Sequence, residues 1–231
     1  MLKHLLFGSD IRSYLIQLLL SLPIILLALS LHETAHGYVA NKLGDPTAKN
    51  LGRLTLNPAK HLDPICFLCM LLCGFGWANP VPINSRYFRK PRRDMALSAA
   101  AGPVSNLLLA LVFALLLRVT FPLVWYRAYA NEITSLVAFY FLVFLYYGVT
   151  LNVTLAVFNL LPVPPLDGSR ILYVFLPPRY YFGVMKYERY ISLGIMLLLL
   201  FGVLTPVISF VTSNLTNLLF FLVGFQNPFF T

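Results

Sequence analysis

His32-Glu33-Thr34-Ala35-His36 brings two imidazoles and a carboxylate into five consecutive positions. Histidines four residues apart share one face of a helix, so both rings can reach a single metal ion. A glutamate beside the first histidine can act on a water held at that ion, which is the arrangement of a hydrolytic zinc site. The motif closes an apolar run, because no residue from Tyr14 to Leu31 is charged. Ionisable groups at membrane depth are costly and point to function.

A hydrolytic zinc site takes three protein ligands and leaves one position open. His32 and His36 supply two. The candidates for the third are His4, His61, Asp10, Asp45, Asp63, Asp94, Asp167, Glu132 and Glu188. Asp167 follows a long apolar stretch, with Pro162, Pro164 and Pro165 before it and Gly168 after it, which permits a sharp non-helical approach. An Asp-Gly pair is also an ordinary turn. His61 and Asp63, just beyond the motif, are the next choices.

The elements that must carry these groups follow from charge and punctuation. The chain has 231 residues, of which 59% are hydrophobic and 11% charged, against about 25% charged in a soluble domain. Mean hydropathy is +0.78. The apolar residues come in blocks, so the expected fold is an all-α polytopic membrane protein with about four to five transmembrane helices. Block one runs from Ile11 to Ala40 and is retained, since it lacks the small-residue site of a cleaved leader. Residues 41–64 form a polar connection in which Arg53–Asn57 could be a short strand. Ile65 to Ala78 is too short to span and fits a re-entrant segment. Cys66, Cys69 and Cys73 lie within it and read as buried, reduced thiols. Met95–Leu117 is a span, and a helix from Ile133 ends near Leu161. One span is expected near 191–211, with a C-terminal apolar helix near 215–225. The whole reads as one membrane domain over 1–231, with a core at 11–168 and C-terminal helices at 190–226.

The net charge of +9 sits in short loops between apolar blocks, with Arg86, Arg89, Lys90, Arg92 and Arg93 the densest group. This is the positive-inside pattern of cytoplasmic loops and not a nucleic-acid surface. If 65–78 does not cross, two later crossings return Asp167 to the end of the bilayer that holds His32 and His36.

Several segments together resemble the site-2 protease family of intramembrane zinc metalloproteases, in its short bacterial branch without a PDZ or CBS domain. They are His32–Gly37, Gly52–Pro58 with His61–Pro64, Gly76–Pro82, Gly102-Pro103-Val104-Ser105-Asn106, and Asn159–Gly168. The resemblance implies one zinc per chain held by His32, His36 and Asp167. It also implies Glu33 as general base and Asn159 as an aid to the oxyanion or the substrate. The implied partners are transmembrane protein substrates in a lipid bilayer, cut by an enzyme of the bacterial cell membrane whose site faces the cytoplasm. Two departures stand out: Ser169 where a second glycine is common, and Asn79 in place of a frequent lysine. From the residues alone, Asn159 reads equally as a helix–helix hydrogen bond. Two other functions fit the metal motif, a membrane metal-binding or transport protein and an inactive homologue. The first would want polar groups along a whole transmembrane path, and the second has no use for Glu33.

Overall fold

The computed structural model describes residues 11–62, 79–127, 132–175 and 187–225. In chain order the helices are α1 (Ile11–Lys42), α2 (Thr47–Asn50), α3 (Pro91–Arg127), α4 (Glu132–Asn159), α5 (Asp167–Leu172), α6 (Glu188–Leu200) and α7 (Thr205–Leu222). Short 3-10 turns lie at Pro58–Lys60 and Ser85–Tyr87. α1, α3, α4 and α7 are each long and apolar enough to cross a membrane, so the protein is an all-α polytopic membrane protein. A helix is the form in which a lipid-facing backbone satisfies its own polar groups. Large apolar side chains such as Leu19, Leu108, Val137 and Phe221 accordingly point outward.

Three elements differ from the sequence expectation. No strand occurs among the described residues, and Arg53–Asn57 is irregular. Gly52, at φ +63, turns the chain just before it. The Thr55 carbonyl takes the Thr34 hydroxyl at 2.7 Å and bonds the His61 Nε2 at 2.7 Å, so side chains fill the place of a partner strand. α3 begins earlier than expected, at Pro91, because proline suits a first helical position. The Asp94 carboxylate accepts the Lys90 N–H at 2.9 Å, which caps that end. At the C-terminal end the break falls at Gly202 (φ +73) and not at 212–214. α6 stops before it, α7 starts after it with Pro206 in its first turn, and Asn214 stays helical by donating to the Phe210 carbonyl. The expected re-entrant segment and its three cysteines lie outside the described residues.

The chain divides into two compact units, Met1–Gly102 and Pro103–Thr231. In the first, the loop after α1 folds back onto it at Gly37. A Cβ there would lie 2.8 Å from the Leu54 side chain and 3.0 Å from Ala48 and Val81. The Asp45 carboxylate fastens this loop by accepting the Thr47 N–H at 3.0 Å and the Asn84 N–H at 2.6 Å. In the second, the Phe113 ring of α3 lies where a Gly148 side chain would otherwise stand on α4. Phe220 of α7 stacks on Tyr146 of α4 at 6.1 Å, and Phe225 meets both Phe220 and Phe121. Arg118 donates to the carbonyls of Val223 and Gly224, which satisfies the end of α7.

Candidate metal centre

α1 presents the polar cluster from inside its apolar length. His32, Glu33 and His36 are 4%, 8% and 7% exposed, so none of them is a solvated surface group. The helical repeat sets the two imidazoles edge to face, with centroids 4.5 Å apart. The His36 Nδ1 lies 2.7 Å from the Ser98 carbonyl oxygen. A carbonyl accepts only, so Nδ1 carries the proton and Nε2 keeps its lone pair for a metal. The Ser98 hydroxyl donates to the His36 carbonyl at 3.0 Å and ties α3 to α1 at the same level. Gly102, one turn further along α3, is what lets the rings fit. A Cβ there would stand 2.5 Å from His36 Cε1 and Nε2 and 2.6 Å from His32 Cε1. Gly102→Ala is therefore expected to weaken zinc binding by ~10–100-fold while helix content stays, as read by chelator competition and circular dichroism.

Glu33 accepts the main-chain N–H of Val81 at 2.8 Å through Oε2. The sequence reading of the Trp-Ala-Asn-Pro-Val-Pro stretch did not include this contact. The signal it offered was that Val81 has the one N–H in Pro80-Val81-Pro82.

Asp167 belongs to the second unit and opens α5, where it is buried at 9% exposure. Leu166 arrives extended (φ −72, ψ 155), as expected for a chain emerging from prolines. A side chain at Gly168 would collide with the Leu160 and Leu161 carbonyl oxygens, so glycine is required for this close turn. Ser169 has a use of its own, since its hydroxyl donates to the Leu166 carbonyl at 2.7 Å. Asn159 closes α4 half-buried and donates its amide to Leu155 of its own helix at 2.9 Å.

Of the other candidates, Glu132 and Glu188 open α4 and α6, and three are engaged in structure. Asp45 fastens the loop after α1, Asp94 caps α3 and pairs with Arg93 at 2.8 Å, and the buried His61 bonds Thr55. His4, Asp10 and Asp63 lie outside the described residues. His32 and His36 fit a divalent metal by donor type, burial and, for His36, a fixed tautomer.

Comparison with known proteins agrees with this chemistry. The model of peptidase family M50 matches residues 20–203. The chain is 43% identical to the "Putative zinc metalloprotease YwhC" of Bacillus subtilis over 193 residues, 84% of either chain. It is 34% identical to the "Putative zinc metalloprotease Rip2" of Mycolicibacterium smegmatis over 158 residues, 66% of this chain and 56% of that one. The protein of the same name from Mycobacterium tuberculosis (strain ATCC 35801 / TMC 107 / Erdman) is 33% identical over the same shares. No solved structure matches.

Proposed function

The chain belongs to peptidase family M50, the site-2 protease family, and is a membrane zinc metalloprotease; from this premise we propose that it cuts transmembrane proteins within the bilayer, as a single domain over 1–231. The observation that carries the reading is burial of His32, Glu33 and His36 on α1, a helix apolar and long enough to span. A protease for soluble substrates has no reason to keep its polar groups there.

We assign zinc to His32, His36 and Asp167, which offer one ligand atom each. Zinc, when bound, supplies a Lewis acid that brings a water pKa toward ~7. Glu33 takes the proton from the attacking water and returns it to the leaving amine nitrogen as the peptide C–N bond breaks. Asn159, which ends α4 and donates its amide to Leu155, is assigned to holding the developing oxyanion or the substrate. Buried walls around Glu33 exclude bulk water and strengthen these interactions.

A helical substrate hides its peptide bonds in its own hydrogen bonds and must unwind before hydrolysis. In the Arg53–Asn57 stretch the Thr55 carbonyl is already engaged by Thr34 and His61 and the Arg53 N–H by Ala48, so it is the main-chain groups of Leu54 and Leu56 that suit pairing with the unwound segment. Asn79–Asn84 suits it less. Pro80 and Pro82 lack N–H groups, and those of Asn79, Val81 and Asn84 already donate to His61, Glu33 and Asp45. Leu56→Pro is expected to cut turnover severalfold with zinc retained; unchanged turnover would contradict this edge. We place the site on the cytoplasmic side, a reading the basic loops support, and in a bacterial cell membrane, a reading the bacterial relatives support. Proteomics of membrane stubs in cells carrying wild type or Glu33→Gln tests the whole reading. Stubs ending inside an apolar span and seen only with wild type support it, and identical stub sets refute it.

A further inference from the structure

The Asn79–Asn84 stretch is pinned from three sides. The Arg53 guanidinium donates to the Asn79 carbonyl at 2.7 Å and the Pro80 carbonyl at 3.3 Å. The Asn79 N–H donates to the His61 carbonyl at 2.7 Å. The Asp45 carboxylate accepts the Asn84 N–H at 2.6 Å. Between these anchors, Val81 is 6% exposed and its side chain rests over Gly37, one helical turn beyond Glu33 on α1. Its N–H, alone in the Pro-Val-Pro segment, reaches Glu33 Oε2 at 2.8 Å. All of these groups lie in the first unit.

We propose that the Val81 main-chain N–H is a positioning group for the Glu33 carboxylate. A glutamate has three side-chain torsions, and a free one would sample many orientations. The Val81 N–H fixes one oxygen and leaves Oε1 to receive the proton of the attacking water and to return it. The two prolines hold the intervening residue extended and remove competing donors, and Arg53 keeps the strap in place, so the geometry is set before substrate arrives. The proposal rests on Glu33 being the general base.

The test replaces Val81 by its α-hydroxy acid, which turns the N–H into an ester oxygen and keeps the side chain. The same exchange at Ile83 serves as control. Labelled casein in detergent is the probe, because its unstructured backbone needs no unwinding. The expected result for the Val81 ester is a kcat lower by ~10–100-fold, with KM within about twofold and one zinc per chain, while the Ile83 ester behaves as wild type. A wild-type kcat for the Val81 ester, or a change confined to KM, overturns the proposal. If the Val81 ester does not hold zinc, Arg53→Gln decides: a lower kcat at unchanged KM supports the strap, and an unchanged kcat overturns it. Glu33→Gln separates the two levels. Activity in that variant removes the base reading itself, whereas an inactive Glu33→Gln beside a fully active ester removes only the role of Val81.

Discussion

Replacing Glu33 with glutamine is expected to lower hydrolysis by about 10²–10⁴-fold with zinc still bound, the range for losing a positioned general base. Glutamine has nearly the same shape, and its amide oxygen can still accept the Val81 N–H that now reaches Oε2. It cannot take a proton from water at neutral pH. Fold, zinc content and KM should therefore stay while kcat falls. Burial makes the difference sharp, because at 8% exposure little bulk water is present to act as a substitute base. Zinc content by atomic absorption, set beside kcat on the same preparation, checks both halves. Equal activity in the two proteins would remove Glu33 from the mechanism.

Removing a ligand should act one step earlier. His36→Ala and Asp167→Asn are each expected to weaken zinc binding by about 10²–10³-fold and to reduce hydrolysis to background. Binding of structural zinc at neutral pH is worth on the order of 10 kcal/mol or more. Shared among three ligands, that is ~3–4 kcal/mol apiece, and 1.4 kcal/mol is a factor of ten. Asp167→Asn is the more discriminating change, since it keeps the volume and loses the anionic oxygen. Asp45→Asn is the matched comparison. Its carboxylate already accepts from Thr47 and Asn84, so it should disturb the loop after α1 and leave zinc in place. Loss of zinc from Asp45→Asn with retention in Asp167→Asn would reverse the assignment.

The metal chemistry was legible because it depends on local spacing. Helical repeat alone puts His32 and His36 on one face, and the uncharged run before them places that face at membrane depth. The spans were legible as uncharged blocks: α1 and α4 follow them closely, whereas α3 starts four residues before the Met95–Leu117 block and continues ten residues past it to Arg127. What escaped notice were interactions between segments far apart in the chain. The Ser98 carbonyl beside His36 is 62 residues away, and a backbone carbonyl has no residue signature. The tightness at Gly102 exists only because two rings lie opposite it. Arg53–Asn57 has a strand-like pattern, but the Thr34 hydroxyl and His61 ring engage the Thr55 carbonyl first. At the C-terminal end, the polar Thr212-Ser213-Asn214 lies between the span expected near 191–211 and the helix expected near 215–225. A lipid-facing helix can absorb such residues by back-bonding, as Asn214 does, and the left-handed Gly202 is what stops the helix.

X-ray absorption at the zinc edge of the purified protein reads the ligand set directly. The account predicts one zinc per chain in a shell of oxygen and nitrogen at ~2.0–2.2 Å, with multiple-scattering features of two imidazoles. Those features should persist in Asp45→Asn and collapse in Asp167→Asn. A third imidazole, as His61 would give, or a sulfur shell at ~2.3 Å, as the cysteine-containing stretch would give, would contradict it.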